Sequence, residues 1–129
     1  FQQLAVIRQM SRDLDFALDI VGVPIVRDTD GLALSSRNAY LSAEERAIAL
    51  ALPQALQKAA GDIKDGGDVN TILAASVAAL LAAGFDRVDY FELADVNSLA
   101  VLDHFDGRPA RLLAAAKVGK TRLIDNLAL

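Results

Sequence analysis

At 129 residues the chain is long enough for one domain with its own core. Hydrophobic content of 53% with 23% charged residues excludes a disordered chain, and a net charge of −4 argues against a general nucleic-acid binder. The absence of cysteine excludes disulfides, thiolate catalysis and cysteine–zinc centres, and fits a cytoplasmic setting.

Leu4, Ile7, Met10 or Ser11, and Leu14 recur at helical spacing and predict an amphipathic helix over residues 1–14. Ile20-Val21-Gly22-Val23 reads as a short buried strand, and Pro24 forces an extended entry to the next residues. Helix, short turn and apolar strand make half of an α/β unit, the tail of a sheet whose other strands are not in this chain. Asp30-Gly31 marks a turn. Shortly after it, Ser35-Ser36-Arg37-Asn38 puts two hydroxyls, a guanidinium and an amide in a row. Hydroxyls and loop N–H groups cradle phosphate oxygens. The planar fork of Arg37 fits phosphate or carboxylate in two parallel hydrogen bonds. Taken alone, the stretch reads more readily as a polar surface turn.

Ser42-Ala43-Glu44-Glu45 fits a capping box. A helix over residues 43–60 comes next, with Ile48, Leu52 and Leu56 on one face and a kink at Pro53. Residues 61–67 read as a polar turn. Asp68 caps a second helix reaching about residue 83, and Gly84 stops it. The most apolar run, residues 74–85, falls short of the ~20 residues that a membrane span needs. No signal peptide is visible, and Phe1 need not be a true N-terminus, since no initiator Met precedes it.

Residues 87–94 read as a strand with Tyr90 and Phe91 on opposite faces. Residues 97–109 read as a loop, and 111–117 with 121–127 as a hairpin turning at Gly119. Arg108, Arg111, Lys117, Lys120 and Arg122 concentrate positive charge in this last segment. They suit either a solvated hairpin face or a charged flap near a polyphosphate. His104, the sole histidine, reads as an exposed loop residue with no catalytic role, because no nucleophile stands beside it. No metal-ligand cluster is visible.

Phe1-Gln2-Gln3-Leu4, residues 20–27, Asp30-Gly31, Leu34 to Ser42 and residues 111–126 together resemble the pantothenate synthetase (pantoate:beta-alanine ligase) family. The resemblance implies an α+β chain. Residues 1–26 would be the tail of a Rossmann-like nucleotide-binding domain. Residues 27–129 would be a C-terminal lid domain of helices packed on a short antiparallel sheet. It implies a two-step reaction, in which ATP adenylates pantoate and beta-alanine then displaces AMP to give pantothenate. Magnesium would bridge the phosphates. By the same resemblance Gln3 binds pantoate, and the backbone of Val26 meets adenine. Leu34, Ser35, Ser36 and Arg37 form the ATP loop, the counterpart of a KMSKS signature. Leu34 stands where many members carry Met. The Lys of that signature is absent, which leaves Arg37 as the catalytic charge.

Two features of the family are not in this chain. One histidine cannot make its two-His motif, and no Gly-Glu-Lys-Asp stretch with an ATP-binding Lys precedes Phe1. The resemblance further implies small-molecule partners (ATP, pantoate and beta-alanine) and no nucleic acid or membrane. It implies a homodimer whose interface lies mainly in the half not represented here. Three roles therefore stand open: a contributing part of the ligase, a non-catalytic nucleotide-binding module, and a self-associating scaffold.

Overall fold

Three antiparallel strands, β1 (Arg87–Asp95), β2 (Ala110–Val118) and β3 (Thr121–Ala128), lie in the order β1-β2-β3 in the computed structural model, which describes residues 1–129. β2 is the central strand, so both its edges are paired and nearly every residue on it is buried. Its Leu112, Ala114, Ala116 and Val118 share one face with Phe91 and Leu93 of β1 and Leu123 of β3. That face carries the core, because successive strand side chains alternate between the two sides.

Helices α2 (Ala43–Ala49), α3 (Ala51–Lys64) and α4 (Val69–Ala82) cover this face. They contribute Leu52, Leu56, Ile63 and Leu80, all fully buried. Each such side chain contributes roughly 1.5–3 kcal/mol by leaving water. The fold is thus a mixed helix and sheet arrangement around a small three-stranded antiparallel sheet.

The single helix expected over 43–60 is two helices that meet at Leu50, and the second runs on to Lys64. Pro53 is the reason for the break. It has no N–H to give to the carbonyl of Ala49, so the ladder is interrupted one turn before it. Pro53 then sits in the first turn of α3, where a missing donor costs little. The expected polar turn starts later, because α3 runs on to Lys64, and includes Gly66 at φ +89°.

Both predicted caps are present. Ser42 Oγ accepts from the N–H of Glu45 at 3.1 Å, and Glu45 Oε2 accepts from the N–H of Ser42 at 2.9 Å. Asp68 Oδ2 accepts from the N–H and the hydroxyl of Thr71 at 2.8 and 2.6 Å. The hairpin turns at Gly119, with Val118 opposite Thr121. Gly119 has φ +54°, and a Cβ there would run into the Glu45 carboxylate.

The N-terminal segment departs from expectation. Helix α1 (Gln2–Asp13) forms, but no strand comes after it. Val21 and Val23 are 79% and 82% exposed rather than buried. A strand exists only with a ladder partner, and residues 20–23 pair with none of β1, β2 or β3. The segment lies back along α1 instead. Arg8 Nε donates to the carbonyl of Ile20 at 3.1 Å, and Gly22 sits so close to Leu4 that a Cβ would lie 2.7 Å from its Cδ2.

Candidate functional site

Residues 26–34 fold into a short hairpin with Arg27 bridged to Ala33. The N–H of Asp28 donates to the carbonyl of Leu32 at 2.8 Å, and that of Leu34 to the carbonyl of Val26 at 2.9 Å. Gly31, at φ +91°, makes the turn that the Asp30-Gly31 pair predicts. Two ion-pair clamps fix this hairpin to the core. Arg27 meets Asp125 of β3 with both terminal nitrogens, at 2.7 and 2.9 Å, and also donates to the carbonyl of Gly31. Arg46 of α2 reaches Asp28 and Asp30 at 2.8 and 2.7 Å. The Asp125 hydrogen bond pushes the Arg27 guanidinium pKa further up. The N–H of Leu32, with help from Arg46, holds Asp30 below the usual carboxylate range.

Leu34 leaves this base and leads into a 3-10 helix over Ser36–Tyr40. Ser35 Oγ caps it by accepting from the N–H of Arg37 at 3.2 Å. Asn38 Nδ2 ties the turn back to the carbonyl of Ala33 at 3.0 Å. The side chain of Arg37 makes no ion pair and no hydrogen bond, so its fork is free.

Leu34, Ser35, Ser36 and Arg37 form one wall of a cleft of about 470 Å³. Arg122, Ile124, Asp125 and Asn126 of β3 form another wall, and Phe1 also lines the cleft. Neutral donors and an unpaired guanidinium along an open cleft suit a polyphosphate or carboxylate ligand. A neighbouring cleft of about 620 Å³ shares Phe1 and Asn126, and is bordered by Arg8, Arg27 and Arg111. There the Arg111 guanidinium stacks 4.2 Å from the Phe1 ring centroid, and burial lowers its pKa.

The structure therefore gathers four of the residues singled out from the sequence. It does not bring the other two to the cleft. Val26 reaches the loop only through its backbone pairing with Leu34, and its side chain is exposed. Gln3 is exposed on α1 and lines neither cleft, while its neighbour Gln2 donates to the Tyr90 hydroxyl at 3.2 Å. His104 is exposed beside Asp103, with Nδ1 2.7 Å from its carboxylate. No group of three or more His, Cys, Asp or Glu side chains is placed to hold a metal ion.

Sequence reasoning missed Arg27, Asp125 and Asn126, and did not separate Arg122 from its basic neighbours. One signal was available. In 121–127 an acid, Asp125, falls on the apolar side of an alternating strand, and a buried carboxylate there demands a cation.

Hairpin, loop and cleft together define a small helix-and-sheet unit with an anion-binding loop at its edge. The family model for Pantoate-beta-alanine ligase matches residues 1–128, and the chain belongs to that family. The pantothenate synthetase of Sphingopyxis alaskensis is 62% identical over 127 residues, covering 98% of this chain and 45% of that protein. That of Rhizorhabdus wittichii is 62% identical over 128 residues, with 99% and 45% covered. The chain thus spans about 45% of the length of these curated relatives.

Among solved structures, pantothenate synthetase from Thermus thermophilus superposes with a TM-score of 0.89 at 44% identity, covering 98% of this chain and 45% of that one. Pantoate-beta-alanine ligase from Francisella tularensis, complexed with beta-gamma ATP and beta-alanine, gives 0.66 at 26% identity, with 98% and 39% covered.

Proposed function

We propose that this chain supplies the phosphate-binding loop and lid of a ligase that joins pantoate to beta-alanine. In this reading residues 1–26 are the tail of a Rossmann-like nucleotide-binding domain and residues 27–129 are the lid. The observation that carries the reading is the free Arg37 fork standing with Ser35 and Ser36 on one cleft wall. A family member solved with an ATP ligand and beta-alanine supports it.

The chemistry is set by the substrates. A pantoate carboxylate oxygen attacks the α-phosphorus of ATP, and the bond to pyrophosphate breaks. The amine of beta-alanine then attacks the acyl carbon, AMP leaves with the bonding pair, and the amine gives up a proton. Negative charge grows on the phosphates in the first step, and a donor already in place stabilises it without reorganising. Arg37 takes that catalytic role, with Ser35 and Ser36 as neutral donors. Leu34 and the Val26 backbone border the base of ATP, and Gln3 hydrogen-bonds pantoate. No group of three or more His, Cys, Asp or Glu side chains in this chain is placed to hold a metal ion, and magnesium at a nucleotide site is met largely by the phosphates themselves.

The test is a hybrid in which this chain replaces the 127 matched residues of the Sphingopyxis alaskensis protein. It should form pantothenate only when ATP, pantoate and beta-alanine are all present. A hybrid that folds and forms none would overturn the reading.

A further inference from the structure

Five basic residues crowd the segment from Arg108 to Arg122, and only Arg122 lines the cleft beside Ser35, Ser36 and Arg37. Arg108 is committed to Asp106. Arg111 borders the neighbouring cleft. Lys117 and Lys120 line neither.

Arg122 is also held in place. Its Nε donates to Asp89 Oδ2 at 2.5 Å, and the same carboxylate takes Arg87 at 2.6 Å. One carboxylate balances two guanidinium groups, so the cluster keeps a positive charge. The register shift of β1 between Val88 and Tyr90 drops Asp89 out of the ladder, where it can serve both. The Tyr90 ring lies 6.0 Å from the Arg122 guanidinium carbon, and Gln2 holds the Tyr90 hydroxyl. The terminal nitrogens of Arg122 meet no second carboxylate.

We propose that Arg122 is a second phosphate-binding residue of this cleft, so that a polyphosphate chain is gripped between Arg37 on the loop and Arg122 on β3. The proposal rests on the reading that the Ser35–Arg37 loop receives phosphates, and it names the group that meets them from the other side. The chain carries a net charge of −4, so attraction for a polyanion has to be local. Two guanidinium groups on different walls of one cleft provide it. Asp89 fixes the orientation of Arg122 beforehand, which reduces the freedom lost on binding.

Calorimetric titration of the chain with inorganic tripolyphosphate and with adenosine tests this. The variants are Arg37→Ala, Arg122→Gln, Arg122→Lys and Lys120→Gln. Arg122→Gln keeps a polar side chain but loses the charge. Tripolyphosphate affinity should fall on the order of tenfold in Arg37→Ala and in Arg122→Gln, as for a lost charge-assisted hydrogen bond. Arg122→Lys should recover only part, since an ammonium has no fork. Lys120→Gln removes the same charge two residues away and should change affinity by less than about twofold. Adenosine affinity should not respond to Arg122.

If Arg122→Gln binds tripolyphosphate like the parent, or Lys120→Gln weakens it equally, the assignment of Arg122 is wrong and the loop reading survives on Arg37. If Arg122→Gln weakens binding and Arg37→Ala does not, Arg122 stands and the loop reading fails. If the parent binds no tripolyphosphate, both fall. Should Arg122→Gln unfold, full parental affinity in Arg122→Lys is the result that overturns the fork.

Discussion

Arg27 and Asp125 stand 98 residues apart and share a two-pronged ion pair in which the carboxylate is almost wholly buried, at 2% side-chain exposure. Deleting one partner of such a pair leaves the other charge buried and unmatched, at a cost of about 3–5 kcal/mol. Arg27→Ala, which strands the buried Asp125 carboxylate, should therefore lower the urea midpoint strongly, far more than Lys58→Ala, whose exposed pair with Asp62 is worth little. Equal midpoints would mean that the hairpin is not anchored through Arg27. The two halves of the site were unequally legible. Ser35, Ser36 and Arg37 stand in a row, a polar turn when taken alone, and the family resemblance is what offers them to a phosphate. No such row marks the β3 wall, because Arg122 and Asp125 acquire their neighbours only when the hairpin 26–34 folds against the sheet. Gln3 was assigned from family resemblance alone, and its exposed place on α1 shows why composition could not have pointed to it.

Both caps and the glycine turns at Gly31 and Gly119 were read correctly because they are local. The Ser42 capping box and the Asp68 cap each depend on residues within three positions. Ser42→Ala should cost about 1 kcal/mol and a few degrees of Tm, measured by thermal melting. An unchanged Tm would contradict the capping box. The cap also has a long-range neighbour, since the Glu45 carboxylate lies against Gly119 in the hairpin turn. Gly119→Ala places a side chain at left-handed φ and displaces Glu45, so it should break the cap as well as strain the turn. Ser42→Ala should then cost less in the Gly119→Ala background than alone, a coupling that a double-mutant cycle reads directly. Additive costs would mean that the contact carries nothing.

The Asp68 cap adds a pH dependence. Its hydrogen bonds with Thr71 hold the folded carboxyl below its ordinary value. The stability it confers is complete above the unfolded pKa of ~3.9 and is lost as pH falls through the folded value. Asp68→Asn keeps a good cap without titrating, so its acid unfolding limb should be shallower than the parent's. An identical limb would show that Asp68 contributes no linkage. The strand expected at 20–23 and the single kinked helix at 43–60 failed for opposite reasons. The first needed a partner strand that residues 1–129 do not provide. The second allowed the missing N–H of Pro53 only a kink, whereas it breaks the helix three residues earlier, at Leu50.

The chain covers about 45% of the pantothenate synthetases it matches. It also exposes Val6, Met10, Leu14, Val21, Val23 and Val26, so exposed apolar side chains concentrate in its N-terminal segment. Such a surface suits contact with another polypeptide surface. The proposed ligase assigns it to the remainder of the nucleotide-binding domain. With the two-His motif not in its sequence, the chain by itself should form no pantothenate. AMP release from the purified chain that requires both pantoate and beta-alanine would refute this. The most direct test is single-turnover formation of pantoyl adenylate by the hybrid enzyme, with and without Arg37. Removing one prepositioned donor to developing charge costs on the order of 10²–10³ in rate. Arg37→Ala should slow adenylation by about that factor while the concentration of pantoate needed changes little, and Arg37→Lys should recover part of the loss. Adenylation at the parent rate in Arg37→Ala would contradict the account and leave Ser35-Ser36-Arg37 as a polar surface turn.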